Sequence, residues 1–351
     1  MPISTSTAGP PPMRPRARRA AWGWGRAPCS THCRGHWGCD PPGSFIFPKI
    51  LRGELPRPVP GQEGQRPSRA AVTDPRVIPA NGRVAAAHLR GQLSADAFVE
   101  GRPARITAPL SDLLRGPGGP RERQLPLGSA VTVFEWRKGW CFVQSARDRF
   151  VGYVPETDLA PPGPEPTHRV AARATHLYAV PDIKQRERAL LTHGSLLHVI
   201  AVKDRFAETP HGFVPAAHLE PADSISREPV AVAGLFFGTP YLWGGNSASG
   251  IDCSGLIQAG CLACGIPCPG DSDQQEAALG TTLPPEAPLR RGDLLFWNGH
   301  VAWVSDPGAL LHANAFQMAV GQEDLQDAID RIAAQGDGPV TARKRLEELH
   351  G

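Results

Sequence analysis

The amino-acid sequence predicts an α+β protein, with two small β-barrels before a domain in which an N-terminal helix packs on an antiparallel sheet. Residues 105–160 and 167–221 are similar stretches of short alternating strands with Gly and Pro turns. This pattern is typical of a small barrel duplicated in tandem. Residues 225–345 differ, because a helical apolar stripe beginning after Asp252 comes first and strand-like runs between 293 and 316 come afterwards.

The chain before the first barrel divides into two segments. Residues 1–71 are rich in Pro, Arg, Gly and Trp and lack helical or strand periodicity, so they are predicted to be disordered. The amino-acid composition changes abruptly at Val72. This change suggests a translation start there, in which case residues 1–71 are not part of the native protein. Residues 72–104 are predicted to be a helical lead-in, because apolar residues between Arg83 and Val99 recur at steps of three and four.

The distribution of charge argues against nucleic acid as a partner. Residues 1–71 contain 11 Lys and Arg against 3 Asp and Glu, whereas the rest of the chain has 26 against 31 and is mildly acidic. The sequence also lacks the run of about 18 apolar residues that a membrane span requires, so no span is predicted.

Eight cysteines in 351 residues are too few for a disulfide scaffold and suit a reducing compartment. Because no apolar segment typical of a secretory signal follows Arg18-Arg19, a cytoplasmic location is expected, with export as the alternative. A cysteine and histidine cluster near the N-terminus has spacings that match no standard zinc finger, so neither a metal nor another cofactor is predicted; it comprises Cys29, His32, Cys33, His36 and Cys39.

The regular elements of the last domain are predicted from local patterns. A helix is expected over Pro229 to Phe237, a second helix from Asp252 to about Cys264, three strands over 293–297, 300–305 and 310–316, and a last helix near 324–334 before a charged tail. Asn298-Gly299 between the first two strands is a strong signal for a hairpin turn. Cys261 and Cys264 lie on the apolar stripe of the second helix and are expected to pack in the core.

Cys253 is the candidate nucleophile. It follows Asp252, which is a good N-cap residue, so its thiol is predicted to lie at the start of a helix. There the helix dipole and the unpaired amides would stabilise a thiolate, and the same amides could hold the oxyanion formed when an acyl carbon is attacked. The alternative is that Cys253 is a small buried apolar residue.

Two histidines on the following strands are the candidate bases. His300 and His312 lie on either side of the turn at Ser305 to Gly308. A hairpin folded about Asp306 would place them opposite each other, with Cβ atoms roughly 5 Å apart. One imidazole could then take the thiol proton while the other fixes its tautomer, with Asn314 as the second candidate for this orienting role.

Five short motifs occur in order between residues 238 and 316: Gly238-Thr-Pro-Tyr-Leu-Trp-Gly-Gly245, Asp252-Cys-Ser-Gly255, Gly292-Asp-Leu-Leu-Phe296, Gly299-His-Val301 and Leu311-His-Ala313. On these motifs, residues 238–316 resemble the NlpC-type family of bacterial papain-like cysteine peptidases, and the tandem barrels resemble the bacterial SH3-like domains that often precede it. The family hydrolyses peptidoglycan stem peptides, typically between γ-D-glutamate and the following diamino acid. The resemblance therefore implies that peptidoglycan-derived peptides are the substrates.

The resemblance also implies roles for individual residues. Cys253 would be the nucleophile, His300 the base and His312 the orienting third residue. The residues implied in substrate binding are Tyr241 at the oxyanion site, Ser254 beside the nucleophile, Asp271 and Ser272 at the substrate's N-terminal L-alanine, and Tyr153 as a further candidate for amine recognition. Gln275 also matches the family, whereas Gly270 stands where an arginine commonly precedes the Asp-Ser pair.

Several readings of the function remain open at this stage. One is a cytoplasmic dipeptidyl-peptidase that releases L-Ala-γ-D-Glu during wall recycling, and Asp271-Ser272 favours it. Another is an exported endopeptidase acting on intact murein. A transferase that hands the acyl group to an amine would use the same residues, and a non-catalytic wall-binding protein would use the barrels alone.

Overall fold

The computed structural model describes residues 74–346. The predictions made for residues 1–71, including the translation start at Val72 and the cysteine and histidine cluster near the N-terminus, lie outside the described residues.

The described chain is a mixture of helices and sheets, as predicted. The strands that precede the last domain are β1 (Val84–Ala86), β2 (Ala97–Val99), β3 (Arg102–Ile106), β4 (Leu110–Leu114), β5 (Arg121–Pro126), β6 (Ala130–Arg137), β7 (Trp140–Ser145), β8 (Val151–Pro155), β9 (Leu159–Ala160), β10 (His168–Val170), β11 (Ala174–Tyr178), β12 (Glu187–Thr192), β13 (Leu196–Leu197), β14 (Ala201–Lys203), β15 (Phe206–Thr209), β16 (Gly212–Pro215) and β17 (Leu219–Pro221). Short 3-10 turns occupy Ala87–Leu89, Glu156–Asp158 and Ala216–His218.

The last domain contains four helices and eight strands among the described residues. In chain order they are α1 (Pro229–Gly234), β18 (Asn246–Ser247), β19 (Gly250–Ile251), α2 (Cys253–Ala263), α3 (Ser272–Ala278), β20 (Thr281–Thr282), β21 (Asp293–Trp297), β22 (His300–Asp306), β23 (Ala309–Asn314), β24 (Ala319–Asp324), α4 (Leu325–Gln335) and β25 (Ala342–Arg345).

The segment before the first barrel does not form the predicted helices. Strands β1 and β2 pair in parallel, and the 3-10 turn between them is the only helical element from residue 84 to residue 99. Ala86 and Leu89 are buried against Phe134 and Phe142 of the neighbouring sheet. The helix-like spacing is therefore satisfied by packing on the first barrel, since tertiary contacts outweigh the weak helical preference of a short segment.

The two strand-rich stretches have similar but not identical orders of elements, with seven strands in the first and eight in the second. The first forms a seven-stranded sheet in the order β5-β4-β8-β7-β6-β3-β9. The second forms a five-stranded sheet, β12-β11-β16-β15-β14, and a three-stranded sheet, β13-β10-β17. In both, a Gly-aromatic-Val-Pro strand is followed by a 3-10 turn and a short closing strand. Each stretch has its own buried apolar core.

The last domain is built on a six-stranded sheet with the order β20-β25-β21-β22-β23-β24. The central strands are apolar at successive positions because helices cover both faces. Leu294, Phe296, Val301 and Trp303 pack in the same cluster as the apolar side of α2. The intervening residues, Leu295, Trp297, Ala302 and Val304, pack in the cluster that contains Ala328 and Ile332 of α4. The alternation of side chains along a strand thus divides the core into two layers.

Two details of this domain differ from the sequence prediction. Strand β24 was not predicted, and it occupies an edge of the sheet beside β23. The charged tail contains β25, which pairs with β21 inside the sheet rather than extending from it. Arg345 in β25 forms an ion pair of 2.8 Å with Asp293 in β21, so an apparently polar segment is held by a specific partner on the neighbouring strand.

No helix between residues 74 and 346 has the length and apolar character that crossing a bilayer requires.

Candidate active site

Cys253 is the first residue of α2, as predicted, and Asp252 is its N-cap. The Asp252 carboxylate accepts a hydrogen bond of 2.6 Å from the Gly255 amide through Oδ1 and one of 2.9 Å from the Gly244 amide through Oδ2. One side chain therefore caps the helix and ties it to the preceding glycine loop. A Cβ at Gly255 would lie only 2.5 Å from the Gly245 carbonyl, which explains why glycine is required there.

Cys253 is 7% exposed. Burial raises the pKa of Cys253 to about 12, and the Asp252 carboxylate adds to this, while hydrogen bonds from the Val301 and Ser254 amides act in the opposite direction. The expectation that the helix start would lower this pKa was wrong, because loss of hydration outweighs the amides and the dipole. The thiol is thus protonated in the resting protein and needs a base.

His300 is the candidate for that base. It is the first residue of β22, and the amide of the next residue, Val301, hydrogen-bonds the Cys253 sulfur. The His300 ring is half-buried and lies 5.6 Å, centre to centre, from the Trp297 indole. Burial, followed by the neighbouring His312 and Arg331, lowers the pKa of His300 to about 3. His300 is therefore a neutral imidazole that can accept a proton.

His312 is the partner of His300, and Asn314 is not. The two imidazoles meet with 3.0 Å between His300 Nε2 and His312 Nδ1. The side chain of Asn314 instead hydrogen-bonds Gln317. His312 is completely buried, and burial lowers its pKa to about 4 against the opposing effect of Glu323. Both rings are therefore neutral near pH 7.

The register that brings the histidines together differs from the prediction. Asp306 pairs with Ala309 across a turn at Pro307-Gly308, and an irregularity then shifts the register so that Trp303 lies opposite Leu311. This register differs by two residues from the one that would set His300 directly opposite His312. The rings meet diagonally across the two strands, a separation that aromatic side chains can span. By contrast, the predicted turn at Asn298-Gly299 is confirmed, since Trp297 pairs with His300.

Two further residues, Glu323 and Arg331, continue the hydrogen bonds that join His300 and His312. Neither was predicted from the sequence. His312 Nε2 lies 3.1 Å from Oε2 of Glu323 on β24, and Glu323 forms an ion pair with Arg331 on α4. The signal that could have found Glu323 is strand pairing: His312 is opposite Gly321, so a residue two positions further on projects from the same face. That reasoning requires a strand at β24, and no strand was predicted there from the sequence.

The thiol lies in a cleft of about 900 Å³. The residues predicted for substrate binding all line this cleft together with Cys253; they are Tyr153, Tyr241, Ser254, Asp271 and Ser272. Burial, with smaller effects of Cys253 and Asp252, raises the pKa of the Tyr241 phenol, which is therefore a neutral hydroxyl beside the sulfur. The cleft is lined by the N-terminal segment and the first barrel as well as by the last domain.

Two arginines from outside the last domain reach its acidic residues. Arg76 forms ion pairs of 2.8 Å with Asp271 and 2.6 Å with Asp273 at the start of α3. Arg123 on β5 is 1% exposed and donates a 3.2 Å hydrogen bond to the Ser254 hydroxyl. Arg123 also lies 3.7 Å from Asp252. Neither arginine was predicted from the sequence, because each acts across a long separation in the chain.

The environment of Gly270 explains why glycine stands at that position. A Cβ at residue 270 would lie 2.9 Å from the Phe150 ring and 3.4 Å from Nε of Arg123. The first barrel therefore fills the space that a side chain at residue 270 would need. It also supplies a guanidinium group 3.5 Å from Asp271 Oδ1.

The raised pKa of Cys253 predicts how its reactivity depends on pH. We expect alkylation of Cys253 by iodoacetamide in the absence of substrate to accelerate continuously from pH 6 to about pH 10, because the thiolate fraction rises as the pH approaches a pKa of about 12. His300, with a pKa of about 3, does not change charge in this range. Mass spectrometry of the modified peptide measures the rate. A rate that reaches a plateau below pH 8 would contradict the neutral thiol.

Comparison with known proteins agrees with this geometry. Residues 238–331 match the NlpC/P60 family, and residues 113–159 match the bacterial dipeptidyl-peptidase SH3 domain. The chain is therefore similar to the NlpC/P60 family over residues 238–331 and to a bacterial SH3 domain over residues 113–159.

Individual relatives give the same result. The chain is 27% identical to dipeptidyl-peptidase 6 of Lysinibacillus sphaericus, over 52% of this chain and 75% of that protein. It is 38% identical to the γ-D-glutamyl-L-lysine dipeptidyl-peptidase of Bacillus subtilis, over 26% of this chain and 29% of that protein. The crystal structure of an NlpC/P60 family protein from Bacillus cereus superposes with a TM-score of 0.59 at 20% identity, covering 70% of this chain and 99% of that one. This last similarity shows a shared fold.

Proposed function

We propose that the protein is a cysteine peptidase that hydrolyses the γ-D-glutamyl–diamino acid bond of peptidoglycan stem peptides and releases L-Ala-γ-D-Glu. The observation that carries this proposal is a protonated thiol at a capped helix start, in a cleft large enough for a short peptide, with a hydrogen bond from the amide of Val301, the residue that follows the neutral His300. The names of the relatives from L. sphaericus and B. subtilis support a dipeptidyl-peptidase acting on such bonds.

The proposed reaction begins with transfer of the Cys253 proton to His300 as the sulfur attacks the γ-glutamyl carbonyl carbon. The carbonyl oxygen becomes an oxyanion. In the proposed reaction, the amides at the start of α2 and the Tyr241 hydroxyl would donate hydrogen bonds to it. His300 then gives its proton to the leaving amine, and the carbon–nitrogen bond breaks to leave a thioester on Cys253. Water loses a proton to His300 and attacks the thioester, which releases the acid and restores the thiol.

The residues that line the cleft support a preference for short peptides with a free amino terminus. Asp271 and Ser272 lie on the side of the cleft formed by α3, while Tyr153 lies on the side formed by the first barrel. Asp271 is already engaged by Arg76, but a carboxylate has about four lone-pair positions and can accept a further hydrogen bond from an ammonium group. We propose that Asp271 and Ser272 bind the L-alanine amine.

The Tyr153 hydroxyl accepts hydrogen bonds from Asn81 at 3.0 Å and from Arg83 at 3.3 Å. Its own proton remains available, so in this arrangement it would donate to the substrate rather than accept from it. We therefore assign the L-alanine carbonyl to Tyr153 and the amine to Asp271.

The decisive experiment compares two substrates that differ only at the amino terminus. Purified protein is given L-Ala-γ-D-Glu-diamino acid with a free amine and the same peptide carrying N-acetylmuramic acid on its alanine, and the products are identified by mass spectrometry. We expect kcat/KM for the blocked peptide to be lower by about tenfold or more, since the blocked peptide has no ammonium group to donate a hydrogen bond to Asp271.

Each alternative predicts a different result in this experiment. Equal cleavage of both peptides would favour an endopeptidase acting on intact murein, and the recycling role would then be wrong. A product in which the acyl group is joined to an added amine would indicate a transferase. Absence of turnover with retained binding would indicate a wall-binding protein. The proposed recycling role uses free stem peptides and therefore implies a cytoplasmic protein.

We also infer that residues 167–221 form a second SH3-like barrel. The support is the similar order of strands and the repeated Gly-aromatic-Val-Pro segment with its following 3-10 turn. This barrel also contacts the last domain: Thr192 accepts a 2.8 Å hydrogen bond from the Ala248 amide, and the His193 ring packs edge-on against Phe236. It does not contribute to the lining of the cleft.

A further inference from the structure

We infer that Glu323 is a positioning residue that fixes the direction of the hydrogen bonds between the two histidines and so leaves the base nitrogen of His300 free. The inference rests on the proposed function, because it concerns the base of that reaction. It is carried by an unbroken series of contacts from α4 through β24 and β23 to β22, formed by Arg331, Glu323, His312 and His300 in that order.

The carboxylate end of this series can only accept hydrogen bonds. Arg331 binds Glu323 with two nearly parallel contacts, 2.8 Å from Nε to Oε1 and 2.7 Å from Nη2 to Oε2. The bidentate pairing with Arg331 lowers the pKa of Glu323, although partial burial opposes it. Glu323 is therefore ionised near pH 7, and an ionised carboxylate has no proton to donate.

His312 must therefore carry its proton on Nε2. That nitrogen is 3.1 Å from Glu323 Oε2, and the opposite tautomer would set a ring lone pair against a carboxylate lone pair in a fully buried position. Because burial keeps the ring neutral, a proton on Nε2 means that Nδ1 is an acceptor.

The same reasoning fixes the tautomer of His300. Its Nε2 is 3.0 Å from His312 Nδ1, which is an acceptor, so His300 Nε2 must carry the hydrogen. A neutral imidazole with its hydrogen on Nε2 has its lone pair on Nδ1. In the proposed reaction, that lone pair would take the proton of Cys253. A carboxylate two hydrogen bonds away thus decides whether His300 can act as a base.

The arginine that fixes the carboxylate is itself held in place. Its guanidinium carbon lies 4.5 Å from the centre of the Phe316 ring, and its Nη1 donates a 2.8 Å hydrogen bond to Gln335. Arg331 is on α4, which packs on the opposite layer of the core from α2. The orientation of the base is therefore linked to the packing of a helix that does not touch the cleft.

The test is the substitution Glu323→Gln, which keeps the size of the side chain but adds a donor. The amide can present either NH₂ or C=O to His312, so the direction of the series is no longer enforced and His300 is in the wrong tautomer for part of the time. We expect kcat to fall about 10- to 100-fold with KM within about threefold of the wild-type value, as for loss of part of a general-base contribution. Glu286→Gln, the same change at an exposed residue, should leave both constants unchanged.

A second measurement separates this inference from the proposed function. The ¹⁵N resonances of the histidine rings distinguish hydrogen on Nδ1 from hydrogen on Nε2 and need no substrate. In the wild-type protein we expect both His300 and His312 to carry hydrogen on Nε2. In Glu323→Gln we expect a mixture of tautomers in a protein whose other resonances are unchanged.

Two results would overturn the inference whatever the substrate proves to be. One is a wild-type His300 with its hydrogen on Nδ1. The other is a Glu323→Gln variant with unchanged tautomers. If the wild-type protein has the expected tautomers but hydrolyses no stem peptide, the proposed function fails while the role of Glu323 stands.

Discussion

Replacement of Cys253 by alanine is expected to reduce kcat for the stem peptide by about 10³-fold or more, because the covalent route is lost entirely. The adjacent hydroxyl cannot take over as nucleophile. Ser254 Oγ donates a 3.1 Å hydrogen bond to Asp252 Oδ1 and accepts one from the buried Arg123, so it is held in the cap of the helix. Product formation measured by mass spectrometry over several hours gives the sensitivity that a loss of this size requires.

The matched control is Cys261→Ala, since Cys261 lies on the same helix with its thiol in the core. That substitution also removes one sulfur atom, and we expect it to lower the free energy of unfolding while leaving kcat within a fewfold of the wild-type value. If Cys253→Ala retained more than about a tenth of the wild-type kcat, the assignment of the nucleophile would be wrong.

The parts of the site that local sequence patterns predicted are those that depend on one element. The cap at Asp252, the first helical position of Cys253 and the turn at Asn298-Gly299 each follow from a few consecutive residues, and all three are present. The stripe on α2 is likewise buried, with Cys261 and Cys264 in the core as expected.

The parts that sequence reasoning missed depend on how elements meet. The diagonal contact of His300 with His312 follows from an irregularity in strand pairing, and no pattern of residues in the sequence predicts that irregularity. The contact of Glu323 with His312 can be inferred only once β24 is known to pair with β23. The apolar spacing in residues 84–99 resembled a helix because the repeat of a short segment does not reveal which surface it packs against, and here that surface is the first barrel.

The direction of the thiol pKa shift was missed for an energetic reason. Position at a helix start is a sequence feature, and it favours the thiolate. Burial is a tertiary feature, and for Cys253 it is the larger effect. The outcome is a neutral thiol and imidazole in the resting protein, which makes the tautomer of His300 more important than its charge.

Replacement of Arg123 by alanine is expected to lower the free energy of unfolding by about 3–5 kcal/mol, because it would leave the buried carboxylate of Asp252 without its cation. Arg123 is 1% exposed, lies 3.7 Å from Asp252 and 3.5 Å from Asp271, and stacks its guanidinium 5.9 Å from the centre of the Phe150 ring. Asp252 is itself 6% exposed, so water would hydrate the orphaned carboxylate poorly.

The control for this prediction lies two residues earlier on the same strand. Arg121 pairs with Asp112 at 2.7 Å, but both side chains are partly exposed, with relative areas of 28% and 38%. Arg121→Ala should therefore cost no more than about 1 kcal/mol. Urea unfolding followed by tryptophan fluorescence measures both variants. If the two variants lost equal free energy of unfolding, the buried ion pair of Arg123 would contribute no more stability than a surface ion pair. A selective loss in Arg123→Ala would instead mean that the first barrel is an integral part of the peptidase, since a side chain from β5 would then hold the N-cap that positions Cys253.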